Sequence, residues 1–234
     1  MNVTTRQPAT FARTDGLVTH AQGFAVISLI CMSAFAALVL LLHAIKPEFD
    51  PSWRFLSEYS IGRHGWVMMM AFFLWATSCF SLAAAVREHL RTRRGRIGRL
   101  LLMIVGGSLI MAGLFAQDPI TARPDELTTH GNLHAIASMI GIPSIPIAAL
   151  LITSSVKRDA RWQPYALLLN TTAHFAWLSL LAMAVYLATA VPRASGFGPD
   201  VQAGWMNRVV VLAYAAWQFS ASYGAYRASD TVRL

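Results

Sequence analysis

Six apolar blocks, each long enough to cross a lipid bilayer, constrain this sequence more than any other feature. A membrane-spanning helix needs roughly 20 mostly apolar residues. The blocks that approach or exceed this length are residues 22–44, 65–87, 98–116, 131–153, 164–190 and 206–226. They lack the strict apolar–polar alternation of strands in a membrane barrel. The sequence therefore predicts an all-α fold, a polytopic membrane protein built as one bundle of six transmembrane helices.

The composition agrees with a membrane protein and gives no sign of a second domain. Only 13% of the residues are charged and the mean hydropathy is +0.49, whereas a soluble domain is about 25% charged. We expect residues 22–226 to form a single transmembrane domain, residues 1–21 a flexible cytoplasmic arm, and residues 227–234 a cytoplasmic tail. The first block is too long for the apolar core of a cleaved signal peptide, so we expect it to be the first helix.

The basic residues are distributed unevenly between the segments that join these blocks. Cytoplasmic loops of membrane proteins are enriched in Lys and Arg. If both termini are cytoplasmic, thirteen of the 19 basic residues lie on the cytoplasmic side, namely Arg6, Arg13, Arg87, Arg91, Arg93, Arg94, Arg96, Arg99, Lys157, Arg158, Arg161, Arg227 and Arg233. The pattern predicts six spans with an N-in, C-in topology in the plasma membrane. The dense cluster at 87–99 then acts as a topology signal that contacts anionic headgroups, so membrane lipids are the expected partners and nucleic acid is not.

A histidine pair opens the fourth block on the predicted extracytoplasmic side. The run THGNLHAIAS (129–138) places His130 and His134 one turn apart on one face of a helix. Thr129 is positioned to cap the start of that helix. Pairs with this spacing can hold a metal ion.

Carboxylates fall on the same predicted side of the membrane. An Asp-Pro pair at 50–51 predicts a short helix over 51–61 in the headgroup region. Glu58 lies on this helix and His64 follows it, while Asp118 comes directly after the third block. We therefore expect a polar cluster at the extracytoplasmic face.

These motifs resemble a family of bacterial six-helix membrane proteins known as domain of unknown function 998. The pattern of that family has Ser-Glu-Tyr followed by Gly-Trp at the second helix, Asp-Pro after the third, and His-Gly-x-x-His at the fourth. The matching residues are Ser57, Glu58, Tyr59, Gly65, Trp66, Asp118, Pro119, His130, Gly131 and His134. The resemblance covers about residues 22–226 and implies a six-helix fold in the bacterial inner membrane. It implies no reaction.

A second resemblance is to the membrane hydrolase superfamily of alkaline ceramidases and adiponectin-type receptors, which uses Ser-x3-His, Asp and His-x3-His around zinc. This chain has Ser60-x3-His64, Asp118 and His130-x3-His134 in the same order. That superfamily differs in having seven helices and in carrying its last histidine pair in the seventh. The resemblance implies metal-assisted hydrolysis of a lipid-like substrate.

The same residue types suit a catalytic zinc ion, which takes three nitrogen or oxygen ligands and leaves one position for water. In this hypothesis His130 and His134 supply two ligands, and Asp118 or His64 supplies the third. Glu58 acts as the general base, so that Glu58 and Asp118 are the candidate catalytic residues. No haem is expected, because no two histidines face each other at matching depth in the predicted bundle.

A structural alternative stays open for these residues. In it Asp118 accepts a hydrogen bond from His134, and Glu58 pairs with Arg54 or Arg63, which ties the loops to the helix ends. Three hypotheses of function follow. The protein is a metal-assisted hydrolase of a lipid-like substrate, or a non-catalytic lipid-binding or scaffolding protein whose polar motif is structural, or a small transporter, which would place its binding site near the midplane.

Overall fold

The computed structural model describes residues 20–230 of the chain. Its helices are α1 (His20–Ile45), α2 (Gly65–Ala85), α3 (Arg93–Leu114), α4 (Thr129–Val156), α5 (Ala166–Arg193) and α6 (Ala203–Asp230). Short 3₁₀ turns lie in the connections at Leu56–Ser60, Arg87–His89, Pro124–Glu126 and Ala160–Tyr165. The described residues contain no strand, so the all-α prediction is confirmed for them. The predicted cytoplasmic arm and tail lie outside the described residues, apart from residues 20–21 and 227–230, which belong to α1 and α6.

The helix ends differ from those of the apolar blocks by up to five residues. α3 begins at Arg93 rather than near residue 98. At this end the Thr92 side chain accepts a hydrogen bond from the Gly95 N–H at 3.0 Å, so a capped, arginine-rich turn precedes the apolar part. Hydropathy marks only the part of a helix that suits lipid, whereas backbone hydrogen bonding continues into polar turns.

Each helix packs against the next one in the chain, and α6 returns to contact α1 and α2, which closes the bundle. α2 lies at the centre, because 61% of its most apolar stretch is buried, compared with 17% in the segment that contains α5. α5 is therefore peripheral. Large apolar side chains such as Leu167, Leu178 and Val185 are exposed on it, as expected for a surface that faces lipid.

Five of the six described helices, α1 to α5, are long and apolar enough to cross a membrane. The chain is therefore a multi-pass membrane protein. α6 is less apolar because it carries polar side chains that face other helices. Gln218 accepts a hydrogen bond from Trp75 Nε1 at 3.0 Å and donates to Ser78 Oγ at 2.7 Å, and Ser222 lies 2.7 Å from Ser28. Polar side chains that find partners inside a bundle lower the hydropathy of a helix without preventing its burial.

α4 continues through two prolines, Pro143 and Pro146, as one unbroken helix. Pro146 has no N–H to donate to the Ile142 carbonyl one turn earlier. The Tyr214 hydroxyl of α6 donates to this carbonyl instead, at 2.8 Å. A hydrogen bond between helices thus replaces the one that proline removes.

The two ends of the bundle differ in chemistry. The motif end comprises residues 46–64, 115–130 and 194–208, and the basic end comprises residues 86–96 and 155–165. At the motif end, the Trp205 N–H bonds to the Ser52 carbonyl at 3.1 Å, which joins the first loop to α6. At the basic end, His89 Nδ1 lies 3.4 Å from Asp159. The predicted site residues Glu58, Asp118 and His130 all belong to the motif end.

Candidate functional site

The loop after α1 does not form the predicted helix over 51–61. The Asp50 carboxylate accepts the N–H of Ser52 at 2.8 Å and closes a tight turn, which explains why the prediction was wrong. The backbone becomes 3₁₀-helical only at Leu56–Ser60. Leu56 and Tyr59 are 3% and 1% exposed, so they pack inside the protein rather than on its surface.

Glu58 is the central polar group of the motif end, and its side chain is fully buried. One carboxylate oxygen accepts the Phe55 N–H at 2.8 Å. The other accepts the Ile120 N–H at 3.0 Å and pairs with Arg54 at 3.1 Å. Burial raises the pKa of the Glu58 carboxyl, and the two N–H groups and Arg54 oppose this rise. The carboxylate joins two loops, and the expected Glu58–Arg54 pair is confirmed.

Asp118 holds the start of α4. Its two carboxylate oxygens accept the N–H and the hydroxyl of Thr128, both at 2.8 Å. Thr128 is the N-cap, because its hydroxyl oxygen accepts the Gly131 N–H at 3.0 Å; the predicted cap, Thr129, is the first helical residue instead. A β-carbon on Gly131 would overlap the Asp118 carboxylate, so this approach requires glycine.

His134 lies inside the bundle and is 2% exposed. Its Nδ1 donates to the Phe115 carbonyl at 2.9 Å, and its ring meets Phe72 edge-on with a centroid distance of 5.7 Å. The partner of His134 is therefore a backbone carbonyl, and not Asp118 as the structural alternative predicted. Asp118 instead accepts both of its hydrogen bonds from Thr128, ten residues further along the chain.

The predicted metal ligands do not form a metal-binding group. His130 is exposed, with its ring centroid 5.4 Å from that of Phe115, and His64 precedes α2 in a left-handed conformation with φ of 65°. Within residues 20–230, no three His, Cys, Asp or Glu side chains are placed so that they could hold a metal ion. Asp118 also uses both carboxylate oxygens, and His134 uses its Nδ1, in hydrogen bonds to protein groups. These residues therefore do not fit the expected zinc site.

A cavity lies inside the bundle and reaches the motif end. Its volume is about 100 Å³, and it is lined by residues of α2, α3, α4 and α6, by two residues of the loop after α1 and by one residue of α5. Most of its wall is apolar, including Phe72 and Trp75, and polar side chains such as Ser57, His134 and Asn207 are few. Of the five candidate site residues, His134 lines this cavity, whereas Glu58, His64, Asp118 and His130 do not.

A family model described as "Protein of unknown function (DUF998)" matches residues 29–223 of the chain. This stretch includes the motif residues and the residues that line the cavity. The chain belongs to the DUF998 family. No curated protein and no solved structure matches it.

The Ser-Glu-Tyr motif of this DUF998 protein joins three separate segments. Ser57 donates a hydrogen bond to the side chain of Gln117, which follows α3. Glu58 accepts the N–H of Ile120 in the loop between α3 and α4. The Tyr59 hydroxyl accepts a hydrogen bond at 3.1 Å from Arg208 of α6. The motif residues therefore hold the motif end together.

Arg208 is a site residue that the sequence reasoning missed in this DUF998 protein. Its guanidinium donates to His43 Nε2 at 2.9 Å, to the Arg54 carbonyl at 2.8 Å and to Tyr59. It therefore connects α6 to the end of α1 and to the first loop. The available signal was a charged residue within an apolar block, where ionised groups are rare and usually partnered.

Proposed function

We propose that this DUF998 protein is a non-catalytic membrane protein that binds an apolar or amphiphilic molecule, such as part of a lipid, between α2, α3, α4 and α6. One observation carries the proposal: a mainly apolar cavity of about 100 Å³ lies inside the bundle and reaches the motif end. Small-molecule sites are typically apolar concavities with a few polar groups that orient the ligand. His134 and Asn207 are such groups here.

The size of the cavity limits what it can hold. An apolar cavity of about 150 Å³ accommodates benzene. A volume of about 100 Å³ therefore suits the end of a hydrocarbon chain or a short branched group rather than a whole lipid. The polar part of a longer molecule would lie at the motif end, beside Ser57 and Asn207. The Leu56 N–H bonds to the Asn207 side-chain oxygen at 3.0 Å, which orients the Asn207 amide.

The hydrogen bonds of the two candidate catalytic carboxylates favour this proposal over the hydrolase hypothesis. A general base must present an oxygen lone pair to a water or substrate in the site. The Glu58 carboxylate accepts the Phe55 and Ile120 N–H groups and pairs with Arg54. The Asp118 carboxylate accepts the N–H and the hydroxyl of Thr128. Neither carboxylate lines the cavity. The hydrolase and transporter hypotheses therefore rest on the sequence alone. One molar equivalent of zinc in the purified protein would favour the hydrolase.

Replacing Ser138 by Phe should block ligand entry, because Ser138 lines the cavity one turn below His134. The purified protein in detergent is exposed to a photoactivatable fatty acid with a diazirine on its chain, and cross-linked residues are located by mass spectrometry. We expect saturable cross-linking to cavity residues of α4 and α6 in the wild type. In Ser138→Phe the affinity should fall by about tenfold or more, since the new ring occupies the space for apolar contacts.

Ala135→Phe is the matched control, because Ala135 lies on the same helix but is exposed at the protein surface. It adds a similar bulk outside the cavity and should leave the cross-linking unchanged. Thermal unfolding in detergent shows whether each variant is folded. Equal losses in both folded variants, or no saturable cross-linking in the wild type, would refute the binding site.

We further infer that α6 is a sixth membrane span and that the motif end faces outward. α6 has 28 residues and is therefore roughly 42 Å long, enough to cross a bilayer. It contacts α1, α2 and α5, which are all candidate spans. The arginine-rich connections at the basic end favour a cytoplasmic position for that end.

Cysteine labelling tests this topology in a background without Cys31 and Cys79. In intact cells, a membrane-impermeant maleimide should label Asp125→Cys at the motif end, and it should label Arg94→Cys at the basic end only after permeabilisation. Both positions are exposed. A cysteine added after Leu234 should behave like Arg94→Cys if α6 crosses the membrane. Labelling of Arg94→Cys from outside intact cells would contradict the orientation, and outside labelling of the added cysteine would contradict the sixth span.

A further inference from the structure

A second cavity lies at the basic end and has a different character from the first. Its volume is about 510 Å³, and it is formed by the connection before α3, the end of α4 and the connection after α4. Three arginines line it, Arg91, Arg158 and Arg161. The other residues in its wall also have polar side chains: His89, Thr92, Ser155 and Asp159.

The positive charge of this cavity is only partly balanced by the protein. Asp159 pairs with Arg161 at 2.6 Å, and this guanidinium holds the pKa of the Asp159 carboxyl well below its usual range. Burial lowers the pKa of His89, so this ring is neutral near pH 7. Among the described residues, the side chains of Arg91 and Arg158 have no hydrogen-bond or ion-pair partner. Two guanidinium groups therefore remain to bind an anion.

Part of the wall of the cavity is held in place by contacts within the protein. The Trp162 ring lies behind the wall, fully buried, and meets the ring of His89 edge-on with a centroid distance of 5.4 Å. The Thr92 hydroxyl donates to the Ser155 hydroxyl at 2.8 Å, which joins the start of α3 to the end of α4. Ser155 is 3% exposed and accepts this bond, so its own O–H can donate to a ligand.

We propose that this cavity binds a phosphate group, carried either by an anionic lipid headgroup or by a soluble phosphate compound. Guanidinium groups match the oxygens of phosphate in two parallel hydrogen bonds, and hydroxyl groups supply further donors. Arg91 and Arg158 provide the charge, and Ser155 provides a hydroxyl. A topology signal requires only positive charge in a loop, whereas here Arg91 and Arg158 line one concave surface together with Ser155.

The double variant Arg91→Gln/Arg158→Gln tests the proposal in phosphate-free buffer. Binding of inorganic phosphate to the detergent-purified protein is measured by isothermal titration calorimetry. Retention of phosphatidylglycerol, compared with phosphatidylcholine, is measured by native mass spectrometry of the same protein. We expect the double variant to bind its phosphate-bearing probe at least about tenfold more weakly than the wild type, since it loses two charge-assisted contacts.

Arg94→Gln/Arg96→Gln is the matched control, because it removes the same charge from two exposed arginines that do not line the cavity. It should bind within about twofold of the wild type, since it keeps every contact to the phosphate. Phosphatidylglycerol that inorganic phosphate displaces only at high concentration would identify a lipid headgroup as the source. Tighter phosphate binding without a lipid preference would identify a soluble compound. Equal losses in the two folded double variants, or no binding of either probe to the wild type, would overturn the proposal.

Discussion

Arg208→Ala should lower the free energy of unfolding by about 3–4 kcal/mol, because hydrogen bonds to charged groups contribute about 1.5–3 kcal/mol each and their partners are left unpaired. The guanidinium donates to His43, Tyr59 and the Arg54 carbonyl, which lie on α1 and on the first loop. Alanine cannot replace any of these donors. The loss is measured by thermal and denaturant unfolding in detergent.

Arg208→Lys and Arg123→Ala complete this experiment. Lysine keeps the charge but cannot reach three acceptors with the planar geometry of arginine, so we expect about half of the loss. Arg123 lies at the same end, but its side chain is 70% exposed and it pairs with exposed carboxylates. Its removal should cost less than about 1 kcal/mol. A similar small effect for Arg208→Ala would show that Arg208 does not hold the motif end together.

Glu58→Ala should be the second strongly destabilising change, with an expected loss of about 3–5 kcal/mol in the free energy of unfolding. The buried carboxylate accepts the Phe55 and Ile120 N–H groups and pairs with Arg54. Alanine would leave two backbone donors and a guanidinium without their acceptor. Unfolding of this variant is measured under the same conditions as for Arg208, with and without a metal chelator.

Glu126 provides an unusually close control for Glu58. Both are the third residue of a 3₁₀ turn, and both accept a backbone N–H three residues earlier and pair with an arginine. Glu126 differs because its side chain is 49% exposed. Glu126→Ala should therefore cost less than about 1 kcal/mol. If a chelator destabilised the wild type but not Glu58→Ala, the carboxylate would be acting through a metal, and the structural role would be contradicted.

The helices could be predicted because lipid imposes a simple local requirement. A spanning segment must be apolar over roughly 20 residues and must satisfy its own backbone, so composition alone marks it. α2 begins at Gly65, where the apolar block was predicted to begin, and α1 (His20–Ile45) differs from the predicted block by two residues at one end and one at the other. α6 has the weakest apolar signal, because Gln218 and Ser222 meet partners on other helices that hydropathy does not count.

The site could be predicted only in part. The sequence placed Glu58, Asp118 and His130 at one end of the bundle, and the structure agrees. It did not predict that Thr128 would take both oxygens of Asp118, or that His134 would bond to a backbone carbonyl. Spacing along a helix brings residues to one face, but shifts of about 1 Å in a loop decide which donor meets which acceptor.

The sequence by itself determined the membrane class, the helical fold and the division between a polar motif end and a basic end, because each follows from local composition. The tertiary structure decided which polar groups hold loops together and which line a cavity. Arg208 and Arg54 are 154 residues apart, and no local pattern joins them. Their contact exists because α6 packs beside α1 and brings its first turns to the loop that carries Glu58. Packing between distant segments therefore separates the structural carboxylates from the cavity that His134 lines.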